Sequence, residues 1–368
     1  MLLGVGVRLK TSIFDGNVDY LQILDENSRM DEALLPKEVD DKKLVEMYKQ
    51  MMLARAFDAK VLSLQRQGRA VTYAPLLGEE ATQIGSALAM GEKDVFVPAF
   101  RQHGVYIARG TPLELLLTYW RGYEEGCMVP KNVRGMPVIV PVATQMPHAA
   151  GIAFAQKYLK TDAAVVAYVG DGGTSEGNFY EALNFAGVWK APLVTIIENN
   201  QWAISVPRQN QTASKTLAQK AIAAGVPCIQ VDGNDVLAVY KATRDALASS
   251  GDGPSVIECV TYRMGIHTTA DDPTKYRDQA EVDYWQKRDP LLRVKNYLTH
   301  KGVWNDKAES ETVVEQARAI NAAVANAEKF KPDPKEMFKH IYSFMPQTLQ
   351  EEMDAAVAAN YWQGEQLG

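Results

Sequence analysis

The chain has 368 residues, enough for one large domain or two modest ones. Its composition is ordinary for a globular protein, 46% hydrophobic and 23% charged. A net charge of −6 with a pI near 5.5 argues against nucleic acid or an anionic membrane as the main partner.

No apolar run reaches the roughly 18 to 20 residues of a membrane span. The start, MLLGVGVRLK, is too short in its apolar part for a secretory signal, and Asp15 and Asp19 soon follow. Cys127, Cys228 and Cys259 stand far apart without CxxC spacing and read as buried small hydrophobes in a reducing compartment. A cytoplasmic protein is therefore expected.

Residues 1–40, acidic from Asp25 to Asp41, read as an arm or small β piece. Asp41 to Gln67 is expected to be helical, with Leu44, Met47, Tyr48 and Met51 at helical spacing. Met51-Met52 suits a core stripe better than a cofactor box. Glu79 to Met90 and Leu113 to Arg121 are further helices, with the apolar run DVFVPAF between them, just before Arg101. Ala149 to Leu159 is another, leading into the most informative stretch.

Ala163 to Val169 reads AAVVAYV, a nearly continuous apolar run that fits a strand buried on both faces. Gly170-Asp171-Gly172-Gly173 breaks it. Thr174 and Ser175 are suited to cap the next helix, Glu176 suits its first turn, and Phe179, Leu183, Ala186 and Trp189 form its apolar face. Ala191-Pro192 ends that helix, and Leu193 to Ile197 is a second buried strand. A β-α-β crossover makes the two strands parallel, so Asp171 and Asn200 both emerge at carboxyl ends, where open α/β sheets bind ligands. A carboxylate and an amide oxygen are hard ligands suited to Mg²⁺ or Ca²⁺. Glycines let a backbone approach phosphate, and a helix start offers N–H groups to it. A metal bridging a diphosphate to the protein is expected.

Two other motifs fail on residues. A dinucleotide fingerprint needs glycine at Ser175, and a P-loop needs Lys-Ser or Lys-Thr where Asn178-Phe179 stands. An ordinary strand-turn-helix would explain GDG alone, but not Asn199-Asn200 one β-α-β unit later. Beyond this unit, Cys228 to Val231 and Ser255 to Tyr262 read as strands that release Asp232-Gly233 and Arg263-Met264-Gly265. Polar loops follow at 201–216 and 266–278, and Glu281 to Gln366 reads as helical with a solvated, charged face.

GDG, 26 intervening residues and NN resembles the thiamine diphosphate motif. GDGGTSEGNFYEALNFAGVWKAPLVTIIENNQWAIS resembles the alpha chain of the decarboxylating component of 2-oxo acid dehydrogenase complexes. The likeness runs from about Leu44 to Pro346. It is carried also by YAPLLGEEA at 73–81, FRQHGV at 100–105, VATQMPHAAG at 142–151, VDGNDVLAVY at 231–240 and TYRMGIHTTADDPTKYR at 261–277.

The resemblance implies an α/β thiamine diphosphate-binding fold, with a mostly parallel sheet flanked by helices and a helical C-terminal region. The implied division is an arm at 1–40, the cofactor domain at 41–280 and the helical region at 281–368. It implies Asp171, Asn200 and the backbone carbonyl of Trp202 as ligands of Mg²⁺, and Gly172 and Gly173 beside the cofactor. Phe100 and Arg101 fall at the diphosphate, and the backbones of Val140 and Val142 along the aminopyrimidine ring. His267, with Arg263, falls in the active-site loop, where the histidine contacts the diphosphate and helps stabilise intermediates. Two departures stand out. Phe100 replaces the usual tyrosine, and Ile266 stands where some relatives have a first histidine.

The carboxylic acid that thiamine catalysis needs at the aminopyrimidine comes, in this family, from a beta chain. The chain therefore resembles half an active site, in an assembly of two alpha and two beta chains that passes its acyl group to a lipoyl acyltransferase core. Pyruvate is the expected substrate, on the likeness of KTLAQKAIAAGVPCIQVDG to pyruvate-type chains. ATQMPHAAG, VDGNDVLAVY and EVDYWQKRDP are nearer the branched-chain type, and an acetoin-cleaving relative is a third option. A non-catalytic, cofactor-binding scaffold subunit is the alternative of a different class. Loop 266–278 is expected to become ordered when cofactor binds.

Overall fold

Two apolar runs, VVAYVG and LVTIIEN, form the centre of the sheet because neither leaves a polar face for solvent. They become β3 (Val165–Gly170) and β4 (Leu193–Asn199), buried along nearly their whole length. The computed structural model describes residues 16–333 and 335–359. The MLLGVGVRLK start and the last residues of the C-terminal region lie outside the described residues.

The sheet also contains β1 (Asp19–Leu21), β2 (Val95–Val97), β7 (Cys228–Asp232) and β8 (Ser255–Val260), and a short hairpin beside it pairs β5 (Trp202–Ala203) with β6 (Val206–Pro207). The order is β1-β7-β8-β4-β3-β2, and every neighbouring pair is parallel. The small β piece expected in the arm is thus an edge strand of the main sheet.

The helices are α1 (Asp41–Arg66), α2 (Glu80–Ala89), α3 (His103–Ala108), α4 (Leu113–Trp120), α5 (Gln145–Tyr158), α6 (Gly177–Trp189), α7 (Arg208–Gln211) and α8 (Val236–Ala248). The C-terminal region adds α9 (Gln279–Gln286), α10 (Pro290–His300), α11 (Asp306–Ala327), α12 (Glu336–Lys339) and α13 (Gln347–Ala358). Among the described residues no helix is long and apolar enough to cross a membrane.

Alternation along the strands divides the core in two. Val165, Ala167 and Val169 pack with Met146 and Ala153 of α5 and Phe179 and Leu183 of α6. Val166 and Tyr168 face the other way, to Ile84 of α2 and Leu237 of α8, with α1 behind them. Val294 and Leu298 of α10 and Ile320 and Val324 of α11 join this second core. Burying one such side chain contributes about 1.5–3 kcal/mol.

The crossovers β3-α6-β4 and β7-α8-β8 run in opposite directions along the sheet and meet at the β4–β8 pair. Right-handed crossovers travelling in opposite directions must place their helices on opposite faces. The carboxyl ends of β3, β4 and β8 are left uncovered between them.

Buried polar groups tie the arm to this frame. Asp235 caps α8 through Leu237 N and accepts from Ile23 N at 2.6 Å and Leu24 N at 2.7 Å. Arg293 of α10 pairs with Asp232 at 2.7 Å. Of the cysteines only Cys259 is fully buried; Cys127 and Cys228 are half-buried and all three are free. Cys228 opens a strand nearer the sheet's edge and Cys127 ends a short surface turn, so neither is enclosed.

Candidate active site

The helix after β3 begins later than Thr174. Gly172–Ser175 is a 3₁₀ turn, and α6 starts at Gly177 after Glu176, with no side-chain cap. The reason is a long-range partner. The Thr174 hydroxyl donates to Asp171 O at 2.7 Å and accepts from Lys220 Nζ at 2.9 Å, so it is engaged in the turn. The two glycines are required by crowding. A Cβ on Gly172 would lie 2.7 Å from Ala203 Cβ, and one on Gly173 would lie 2.6 Å from Val169 Cγ2.

This turn borders a cavity of about 720 Å³ at the carboxyl edge of the sheet. Phe100, Arg101, Val140, Val142, Asp171, Gly172, Gly173, Asn200, Trp202 and His267 all line it. Arg263 does not. It is fully buried behind His267.

At one end stand three hard oxygen donors. Asp171 is 2% exposed and accepts on Oδ2 from Gln211 Nε2 at 2.8 Å. Burial pushes its carboxyl up to about 6, against the pull of Gln211 and the Arg263 charge. Asn200 donates from Nδ2 to Glu79 Oε1 at 2.8 Å and accepts on Oδ1 from Trp202 N at 3.2 Å. Partners of opposite sense fix which way the amide points. The Trp202 carbonyl, third in the set, accepts from Arg263 Nη1 at 3.2 Å.

One buried carboxylate, one amide oxygen and one backbone carbonyl fit Mg²⁺ or Ca²⁺, not a soft-metal centre. Among the described residues no group of three His, Cys, Asp or Glu side chains forms a metal cluster.

Beside these oxygen donors two guanidiniums converge on one imidazole. Arg101 Nη2 lies 3.1 Å and Arg263 Nη1 3.2 Å from His267 Nδ1. Both are obligate donors, so Nδ1 holds a lone pair and the neutral ring carries its proton on Nε2. Burial, then Arg101 and Arg263, push His267 down to about 3, which keeps it neutral. Arg101 also donates to Pro75 O and sits 3.8 Å from Glu79 Oε1. Phe100 meets His267 edge-on at 6.1 Å between centroids, so ring packing is kept where a hydroxyl is lost.

Loop 266–278 is joined to Arg263 and His267 by a set of hydrogen bonds. Asp271 Oδ2 accepts from His267 N at 2.7 Å and Tyr276 Oη at 2.6 Å, while Tyr276 Oη accepts from Arg263 Nη2 at 2.9 Å. Arg277 donates to the carbonyls of Arg263 at 2.6 Å and Gly265 at 2.9 Å.

The rim is apolar and open. Val140, Val142 and Ile204 are 56%, 52% and 57% exposed. Ala143 and Ile204 carry left-handed backbone at φ 64° and 54°, and the Ile204 carbonyl accepts from Arg263 Nη2 at 2.7 Å.

Sequence reasoning missed Glu79 and Gln211. Glu79 lies within YAPLLGEEA, but an acid opening a helix reads as a solvated first-turn residue. Gln211 had only its place in the polar loop after Asn200 as a signal.

Comparison with known proteins gives concordant findings. The family described as "Dehydrogenase E1 component" matches residues 48–336. The chain is 43% identical over 341 residues to the pyruvate dehydrogenase E1 component subunit alpha of Staphylococcus aureus (strain Mu50), covering 91% of this chain and 92% of that protein. It is 44% identical over 333 residues to the protein of the same name from Acholeplasma laidlawii, covering 89% and 95%. The Staphylococcus epidermidis protein of that name is 42% identical over 340 residues, covering 91% and 92%.

Proposed function

The chain belongs to the dehydrogenase E1 component family, and we propose that it acts there as the alpha subunit of pyruvate dehydrogenase. It is the alpha chain of a thiamine diphosphate-dependent 2-oxo acid dehydrogenase. The proposed reaction is the oxidative decarboxylation of pyruvate with acyl transfer to a lipoyl group. The observation that carries the substrate is the likeness to pyruvate dehydrogenase alpha subunits along 91% of the chain. The proposed partners are a beta chain and a lipoyl acyltransferase core, in the cytoplasm.

The residues divide the work by chemistry. Asp171, Asn200 and the Trp202 carbonyl would hold Mg²⁺, and Gly172 and Gly173 admit the diphosphate close to the backbone. Arg101, which donates to Pro75 O and to His267, would turn its remaining donors to phosphate oxygens. Arg263 orients His267, whose Nε2–H is the proton left free to donate. Thiamine diphosphate would supply the nucleophilic carbon that decarboxylation of a 2-oxo acid needs. The apolar rim at Val140, Val142 and Ile204 suits closure by the beta chain, which would bring the missing acid.

A branched-chain 2-oxo acid is the second reading. It is favoured by the segments ATQMPHAAG, VDGNDVLAVY and EVDYWQKRDP, and by the aromatic residues Tyr119, Trp120 and Tyr123 along the cavity. Co-expression with the beta chain and an artificial-acceptor assay across pyruvate and branched 2-oxo acids tests both. The highest kcat/KM on pyruvate supports the first reading; a preference for branched acids replaces it with the second.

A further inference from the structure

The hairpin after Asn200 turns back over the strand edge and brings one amide onto the Asp171 carboxylate. Gln211, the last residue of α7, donates from Nε2 to Asp171 Oδ2 at 2.8 Å and to Val206 O at 3.3 Å. Both partners are acceptors, so the NH₂ group and not the oxygen of Gln211 faces Asp171.

The loop that carries this amide is braced. Arg208 N donates to Gln201 O at 2.9 Å, and Arg208 Nη2 donates to the carbonyls of Ser214 at 2.6 Å and Lys215 at 2.8 Å. It is also packed onto the turn after β3. A Cβ on Gly172 would come within 3.7 Å of Gln211 Oε1 as well as meeting Ala203. Gln211 therefore reaches Asp171 from a fixed base.

The consequence is in the denticity of the carboxylate. Ca²⁺ takes six to eight oxygens at roughly 2.3–2.6 Å and readily accepts both oxygens of one carboxylate. Mg²⁺ is smaller, demands near-octahedral geometry at about 2.0–2.1 Å and is satisfied by one oxygen per carboxylate, keeping water in its other positions. An amide donor on Oδ2 occupies one of that oxygen's lone pairs and biases Asp171 towards giving a metal Oδ1 alone.

We propose that Gln211 is a specificity-determining residue for the metal, biasing Asp171 towards one-oxygen ligation and so favouring Mg²⁺ over Ca²⁺. The inference rests on the ligand assignment proposed above, and its test separates the two. Gln211 touches the ligand and not the substrate, so it acts by positioning.

The experiment uses the alpha–beta assembly stripped of metal with chelator. Thiamine diphosphate is titrated calorimetrically in Mg²⁺ and, separately, in Ca²⁺, for wild type, Gln211→Ala and the near-isosteric Gln211→Met. Thermal unfolding of the metal-free assemblies verifies that each variant is folded. Removing the donor frees Oδ2, so both variants should bind cofactor more tightly with Ca²⁺, and the Mg²⁺/Ca²⁺ preference should narrow by about tenfold, the worth of one charge-assisted hydrogen bond. An equal loss with both metals in folded variants, or an unchanged ratio, overturns the inference while leaving the ligand assignment in place. Cofactor binding by the wild type that needs no divalent cation overturns the assignment itself, and the inference with it.

Discussion

Replacing Asp171 by alanine should act in opposite directions on the empty chain and on the loaded enzyme. In the empty chain the carboxylate is 2% exposed, with Gln211 as its side-chain donor. Its rise from 3.8 to about 6 corresponds to roughly 3 kcal/mol of penalty for holding the charge at neutral pH. Against that relief, alanine loses the Gln211 hydrogen bond and leaves a small void, at about 1 kcal/mol each. The metal-free variant should therefore unfold within about 3 °C of wild type, or above it. In the loaded enzyme the metal loses the one anionic ligand this chain offers. Breaking a buried charge pair costs about 3–5 kcal/mol, so cofactor affinity in Mg²⁺ should fall by about 150-fold to 4,000-fold. Calorimetry on the alpha–beta assembly and thermal unfolding without metal read the two effects separately. Unchanged cofactor affinity would refute the ligand assignment. A large drop in the metal-free unfolding temperature would show that Asp171 is a structural group.

Asp58, under the loop that precedes α2, is lifted by burial to about 7 although Tyr73 Oη and Leu76 N donate to it. Its fold-derived stability is full below pH 4 and is lost as pH rises towards 7. The unfolding temperature of Asp58→Asn minus that of wild type should therefore grow between pH 5 and 8; a difference flat with pH would refute this. His267 is neutral across the working range, so kcat/KM of the assembled enzyme should show no inflection from it between pH 5.5 and 8. His267→Gln should lower the rate on the order of 100-fold without changing the profile's shape. An inflection near 6.5 that vanishes in the variant counts against the neutral ring. The chain alone should have no 2-oxo acid dehydrogenase activity and should gain it with its beta chain. Turnover by a homogeneous preparation of this chain, with pyruvate, thiamine diphosphate and Mg²⁺, would overturn the half-site argument.

The meeting of Asp171 and Asn200 at one cavity was legible because its logic is local. A glycine break after one buried strand and an Asn-Asn after the next, joined by one helix, leave Asp171 and Asn200 no other edge to occupy. What the sequence hid depends on partners far along the chain. Thr174 reads as a helix cap until Lys220 takes its hydroxyl. Asp19 to Leu21 has no strand signature, and joins the sheet where β7 offers an open edge and Asp235 captures the amides of Ile23 and Leu24. Glu79 looks solvated until the fold encloses it between Asn200 and Arg101. The polar residues of loop 266–278 read as solvated, whereas Asp271 accepts from His267 N and Tyr276 Oη, and Arg277 donates to the carbonyls of Arg263 and Gly265.

The left-handed backbone at Ile204 carries a different lesson, about what selection can see. A β-branched residue at φ 54° costs about 1–3 kcal/mol, and with its side chain 57% exposed it recovers little of that by packing. Glycine there would relieve roughly 1 kcal/mol. The same relief would let the rim relax away from Arg263, which holds the Ile204 carbonyl and, through the next hydrogen bond, His267. A screen of this chain for heat resistance alone would reward that glycine and drift towards sturdier, poorer enzymes. Thermostability and competence diverge at this one residue, so variants of the rim need to be ranked by cofactor retention and not by melting temperature.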